Sequence, residues 1–128
     1  MNKLFFMMCL FGVLLLVGCK SGHTTNLSTY GKVQNAEGVN LQGIAIITKV
    51  DGFPKVDTVY SDEEGVFFSK INKIAYPIPN VTVTAFDSQG VYQQQSKTPQ
   101  YMYECGVGFV PENDCAFPSE EVLFILNK

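Results

Sequence analysis

Short apolar segments of strand length, separated by turn residues, dominate the chain from Tyr30 onward. In Val81–Phe86, valine and alanine alternate with threonine and phenylalanine, which is the period-two pattern of a β-strand. Gly43–Val50 is almost continuously apolar and predicts a central strand buried on both faces. Val122–Leu126 predicts a closing strand that is mostly buried. No segment has a convincing helical period, so the pattern predicts an all-β fold.

One turn motif occurs three times. Asn or Asp opens it, glycine closes it three positions later, and valine follows: Asn35–Gly38, Asp62–Gly65 and Asp87–Gly90. The opening side chain can accept hydrogen bonds from the backbone two residues on, and glycine readily takes a positive φ. Asp51-Gly52 is a further turn signal. The Asp62 turn predicts a hairpin between Asp57–Tyr60 and Val66–Ser69.

An apolar leader precedes this domain. Lys3 supplies a positive start, Leu4–Val17 an apolar body and Gly18 a small residue, as in a secretory signal peptide. The stretch Leu16-Val17-Gly18-Cys19 resembles the lipobox of bacterial lipoproteins. The resemblance implies that residues 1–18 form a helical signal peptide that is removed. It also implies that Cys19 becomes the N-terminus, with a thioether-linked diacylglycerol and fatty chains such as palmitate.

Two alternatives to the lipobox stay open. A membrane-spanning anchor needs roughly 20 apolar residues, and the leader body is shorter than that. Cys19 could also end an ordinary leader by chance. Lipidation predicts stable attachment to a bilayer, because two or more acyl chains hold a protein where one does not.

After Cys19 the chain is polar up to Thr29, so residues 19–29 are predicted to be the lipidated cysteine and a flexible tether. His23, the only histidine, is expected to be solvated. Residues 30–128 form the predicted β-sandwich domain. Lys20 stands where inner-membrane lipoproteins of enteric bacteria have aspartate. This favours the outer membrane of a Gram-negative envelope.

The charge pattern excludes nucleic acid as a partner. The net charge is −3, there is no arginine, and the lysines are scattered rather than clustered on one predicted element. With 46% hydrophobic residues and a chain of 128, we expect one globular domain with its own core.

The domain resembles carboxypeptidase-regulatory-like domains, which are transthyretin-like sandwiches. The segments that resemble this family are Gly31–Val33, Glu37-Gly38, Leu41–Ile44, Thr58–Asp62, Glu64–Phe67 and Val81–Ala85. The resemblance implies an antiparallel, Ig-like or transthyretin-like sandwich of about seven strands that serves as a non-catalytic accessory. The whole chain also resembles small lipoproteins that accompany radical-SAM enzymes. Residues 93–119 depart from the pattern, and there the resemblance predicts nothing.

Cys105 and Cys115 are predicted to form a disulfide, because an exported protein folds in an oxidising compartment. Closing a loop of about ten residues would contribute about 3 kcal/mol. A redox pair would require C-x-x-C spacing, and zinc would require four ligands, so no metal or cofactor is expected. Tyr101, Tyr103 and Phe109 are candidate binding residues on this segment. The alternative is that they cover the open end of the sandwich.

We expect no enzymatic activity, because the folded part has no histidine to serve as a base. The expected function is binding or structural, with the bilayer as partner through acylated Cys19 and an envelope protein or glycan as ligand. The alternatives are a hydrolase of envelope glycans or peptides, using Asp62–Glu64 or Glu120-Glu121, and a partner or substrate of a neighbouring modifying enzyme. A calcium site at Asp62–Glu64 is an alternative to a solvated turn.

Overall fold

The computed structural model describes residues 24–75, 78–103 and 116–128. These residues contain β-strands and no helix, which confirms the all-β prediction. They form nine strands, against about seven expected: β1 (Thr24–Asn35), β2 (Ala45–Val50), β3 (Val56–Tyr60), β4 (Val66–Ala75), β5 (Val81–Phe86), β6 (Gln95–Lys97), β7 (Tyr101–Tyr103), β8 (Ala116–Pro118) and β9 (Val122–Leu126).

The strands form two sheets that enclose the core as a β-sandwich. The four-stranded sheet has the order β3-β2-β5-β6 and is antiparallel throughout. The five-stranded sheet has the order β4-β1-β8-β7, and β9 also pairs with β1. Its pairing is mixed rather than antiparallel, because β8 and β9 both run parallel to β1. The long β1 accommodates both on one side: β8 at Leu27 and β9 along Gly31–Asn35.

The core consists of the inward-facing residues of both sheets. Phe67 on β4 and Phe124 on β9 lie with their ring centroids 6.1 Å apart, in a tilted arrangement that aromatic pairs favour. The larger core side chains that are almost fully buried are Leu27, Val33, Ile46, Val50, Phe67, Ile74, Val83, Phe124 and Leu126.

The three predicted turns adopt one conformation. In each, the opening side chain accepts hydrogen bonds from the backbone N–H groups two and four residues on, at 2.9–3.0 Å. The closing glycine donates its N–H to the opening residue's carbonyl and has a φ of 73–80°. The turn chemistry that the sequence predicts is therefore confirmed at Asn35, Asp62 and Asp87.

The predicted hairpin across the Asp62 turn is wrong. β3 pairs with β2 in one sheet, and β4 pairs with β1 in the other, so the turn connects the two sheets. A local turn motif sets the direction of the chain, but it does not decide whether the next strand pairs with its predecessor or crosses the core.

Two strands are less buried than predicted: β2, which was predicted to be buried on both faces, and β9, which was predicted to be mostly buried. β2 is central in its sheet, but Lys49 is exposed and Ile47 is half-buried. In β9, Leu123 and Ile125 are 40% and 45% exposed. The apolar residues on the outward positions of these strands therefore lie on the surface of the sandwich.

The predicted tether is wrong for residues 24–29, because β1 begins at Thr24. Leu27 and Thr29 are fully buried, and this part of β1 pairs with β4. Threonine and serine hydroxyls make the segment look like a linker, yet Thr29 Oγ1 has a hydrogen-bond partner inside the sandwich. Residues 19–23 lie outside the described residues.

Two polar side chains link the sheets at their edges. The carboxylate of Asp57 on β3 accepts hydrogen bonds from Ser69 Oγ at 2.5 Å and from the Lys70 N–H at 3.2 Å, both on β4. On the other side, Lys97 of β6 donates to the Leu123 carbonyl of β9 and lies 5.8 Å from the centroid of the Phe124 ring.

Candidate functional site

Several predicted site residues lie outside the described residues: Cys19, Cys105, Phe109 and Cys115, and with them the predicted disulfide, the leader and the lipobox. Tyr103 is placed by its backbone at the end of β7. Tyr101 is described in full. Within the described residues, no helix is both long enough and apolar enough to cross a bilayer.

Tyr101 faces the interior and packs against the core. Its hydroxyl lies 2.7 Å from Thr29 Oγ1. Burial raises the pKa of Tyr101 to about 12, although the hydrogen bond with Thr29 acts in the opposite direction. The Tyr101 ring therefore covers part of the core, and Tyr101 also borders a depression of about 400 Å³.

β7 and β8, which pair with each other, flank the segment that contains Cys105 and Cys115 in the sequence. Tyr103 pairs with Ala116, and Ala116 pairs in turn with Leu27, near the start of β1. Tyr103, which ends β7, and Ala116, which begins β8, therefore both lie toward the end of the sandwich where β1 begins.

The carboxylates that the hydrolase alternative would use lie in two places, at the Asp62 turn and along a groove that Glu120 and Glu121 line. Asp62 and Asp87 accept hydrogen bonds from their own turns. Glu120 and Glu121 are neighbours in sequence and line an open groove of about 390 Å³ with Lys97. Among the described residues, no three His, Cys, Asp or Glu side chains form a group that could hold a metal ion. In the Asp62 turn, the carboxylate of Asp62 accepts hydrogen bonds from the Glu64 and Val66 N–H groups.

The outer surface of the four-stranded sheet presents aromatic rings beside hydroxyl groups. Tyr60 and Phe86 pair with Ala45 from either side and are 64% and 42% exposed. Ala45 points outward yet is nearly buried between them. The small side chain of Ala45 therefore lies at the base of a shallow cleft between the two aromatic rings.

The next outward-facing positions on β3 and β5 carry hydroxyl groups. Ile47 pairs with Thr58 on one side and Thr84 on the other, and Thr84 Oγ1 lies 2.8 Å from Ser96 Oγ. We call this surface the threonine face; it comprises Ala45, Ile47, Lys49, Thr58, Tyr60, Thr82, Thr84, Phe86 and Ser96. A depression of about 560 Å³ lies on it, bordered by Ile47, Lys49, Asp51, Thr82, Thr84, Phe86 and Gln94.

Sequence reasoning missed the threonine face. The strand patterns place Thr58 and Tyr60 on one face of β3, and Thr84 and Phe86 on one face of β5. That the two faces coincide depends on the register of both strands with β2, which the pattern of one strand does not contain.

Comparisons of the chain with protein-family models, with curated proteins and with solved structures find no match. The resemblance to carboxypeptidase-regulatory-like domains and to bacterial lipoproteins thus stays an expectation from the sequence, and the functional argument rests on the surfaces of the sandwich.

Proposed function

We propose that the protein is a lipid-anchored, non-catalytic binding domain of the bacterial cell envelope, and that its threonine face binds an envelope glycan. The observation that carries this proposal is the pair of exposed rings, Tyr60 and Phe86, on either side of the nearly buried Ala45. Exposed aromatic residues grouped on a rigid sheet are a common basis of ligand recognition.

The position of β1 supports a ligand close to the membrane. Four residues separate Cys19 from Thr24, where β1 begins, and the five Cα-to-Cα steps between them can span at most about 18 Å. If Cys19 carries acyl chains, the sandwich is held next to the bilayer. The ligands within its reach are then components of the envelope.

The chemistry of the threonine face supports a glycan over an apolar peptide. A sugar ring has an apolar C–H face that stacks on aromatic rings and a rim of hydroxyls that donate and accept hydrogen bonds. Tyr60 and Phe86 are separated by two strand spacings, about 9.5 Å. The exposed hydroxyl of Thr58 and the half-exposed hydroxyl of Thr82 would lose their solvent under an apolar side chain, which is costly unless the ligand supplies polar partners.

The proposal is tested by sedimentation of the purified protein with peptidoglycan sacculi. We expect the protein to pellet with the sacculi, and Tyr60→Ala and Phe86→Ala each to weaken binding about tenfold. Phe68→Ala is the matched control, because Phe68 is an exposed aromatic residue on the other sheet. Absence of pelleting, or equal loss in the control, would overturn the proposal. Capture of a protein that depends on Tyr60 and Phe86 would overturn the glycan assignment.

A further inference from the structure

The outer surface of the five-stranded sheet is strongly apolar. Its outward strand positions include large apolar side chains that are 38–57% exposed: Tyr30, Val66, Phe68, Met102, Leu123 and Ile125. Tyr30 and Phe68 are direct partners across β1 and β4. These residues come from four different strands, so the apolar surface extends across the sheet.

The charges on this sheet have one sign. Its five strands contain no Asp or Glu, and their charged residues are Lys32, Lys70 and Lys73. The chain as a whole has a net charge of −3, so this distribution is not a consequence of composition. Carboxylates border the sheet from other elements: Asp57 contacts the edge of β4, Glu64 lies two residues before β4, and Glu120 and Glu121 precede β9. We call the outward side chains of this sheet, with the three lysines, the lysine face.

We propose that the lysine face lies against the surface of a bilayer that contains anionic phospholipid. The inference rests on the proposed anchor at Cys19, because β1, which lies inside this sheet, begins at Thr24, within about 18 Å of the acylated residue. The exposed aromatic and aliphatic side chains enter the headgroup region. The lysine ammonium groups extend toward the lipid phosphates, as long cationic side chains do at membrane interfaces.

The charges favour a bilayer over a second copy of the chain. In a two-fold interface the same surface meets itself, so the lysines of one copy would face the lysines of the other. The strands of this sheet have no carboxylates to compensate that repulsion. A surface of lipid phosphates supplies the missing negative charge.

This orientation has a consequence for the other sheet. The two sheets form opposite surfaces of the sandwich, so a lysine face on the bilayer directs the threonine face away from it. The proposed glycan-binding surface is then open to the envelope polymer.

The absence of tryptophan from the chain gives a direct test. Phe68→Trp and Tyr60→Trp each place a single indole on the lysine face or on the threonine face, at residues that are 57% and 64% exposed. The protein acylated at Cys19, which begins at that residue, is reconstituted into vesicles of phosphatidylcholine and phosphatidylglycerol with brominated acyl chains. We expect strong loss of fluorescence for Phe68→Trp and little for Tyr60→Trp. Equal quenching of both, or none of Phe68→Trp, would overturn the proposal.

A second measurement tests the charges. Lys32→Gln, Lys70→Gln and Lys73→Gln should each weaken binding of the unacylated chain to the same vesicles, by about fivefold per lysine. Lys49→Gln on the threonine face is the matched control and should leave binding unchanged. Equal losses in all four variants would contradict a specific lysine face.

Failure of the anchor can be distinguished from failure of the face. The mass of the reconstituted sample reports whether Cys19 is acylated. If the protein is acylated but the Phe68→Trp fluorescence is not quenched, the proposed contact of the lysine face with the bilayer is wrong and the proposed anchor at Cys19 is retained. An unacylated protein would overturn the anchor, and the two tryptophan variants would then report on the face without it. Phe68→Trp emission that changes with protein concentration, rather than with brominated lipid, would assign the face to a second copy.

Discussion

The hydroxyl of Tyr101 lies 2.7 Å from Thr29 Oγ1, although 72 residues separate them in the sequence. Tyr101 is on β7 and Thr29 is on β1, with β8 between these strands in the sheet. The hydrogen bond therefore spans a whole strand. It links the outermost strand of the sheet to the strand that enters the fold first.

Tyr101→Phe should lower the free energy of unfolding by about 1–2 kcal/mol, because it removes the partner of the buried Thr29 hydroxyl. Urea denaturation measures the change. Tyr60→Phe is the control, because the Tyr60 side chain is 64% exposed and should change the stability by less than about 0.5 kcal/mol. Equal effects of the two substitutions would show that the hydrogen bond contributes nothing.

The raised pKa of Tyr101 predicts a loss of stability at high pH. An unfolded tyrosine ionises near 10.0, whereas the pKa of Tyr101 in the fold is about 12. Between these values the unfolded state binds fewer protons than the folded state, so the free energy of unfolding falls as pH rises, by at most about 1.4 kcal/mol per pH unit. Urea denaturation at pH 9 to 12 should show this component in the wild type and not in Tyr101→Phe. Parallel pH profiles would contradict it.

Gly31→Ala should prevent β9 from pairing with β1. A Cβ at this position would lie 1.9 Å from the Val122 carbonyl oxygen and 2.6 Å from Phe67 Cζ, and neither the strand nor the core ring can yield that much. We expect a loss of about 4 kcal/mol or more, or failure to fold. Gly90→Ala is the control: it has positive φ but open space, and should lose about 1–2 kcal/mol. Thermal unfolding compares the two, and a smaller loss for Gly31→Ala than for Gly90→Ala would be contrary to the observed packing.

Cys19→Ala should release the protein from the membrane fraction, because the proposed acyl chains are attached to that sulfur. Cys9→Ala, inside the leader, is the matched control and should stay membrane-bound. Fractionation of cells expressing each variant, with the N-terminal mass of the wild type, makes the measurement. A Cys19→Ala protein that stays in the membrane pellet after an alkaline wash would contradict the anchor.

The turns could be predicted from the sequence because the interactions that form them are local. The side chains of Asn35, Asp62 and Asp87 reach only their own backbone, and the glycine that each turn requires lies three residues away. The positions of β2, β3, β4, β5 and β9 followed from local apolar patterns for similar reasons, whereas β6, β7 and β8 lie in residues 93–119, for which no strand was predicted. The partner of each strand did not, because β3 and β4 are joined by a turn that would serve a hairpin equally well.

The start of the domain could not be predicted because several of the side chains buried there are polar. Thr29 is fully buried and hydrogen-bonded to a residue far along the chain, so no local apolar period marks the segment. The two outer faces were missed for a related reason. Tyr60 and Phe86, or Tyr30 and Phe68, become neighbours only once the strand register is fixed.

Because Asp57 and Lys97 bond backbone groups at two strand edges, we expect them to hinder the addition of strands from other molecules. An unpaired strand edge is a template on which a strand of another molecule can add. On β4 the Lys70 N–H is already bonded to Asp57, and on β9 the Leu123 carbonyl is already bonded to Lys97. If the proposed anchor at Cys19 confines the protein to a bilayer, its molecules meet one another more often than they would in solution. At these two edges, a neighbour would have to displace an ionic group before it could join its strand to the sheet.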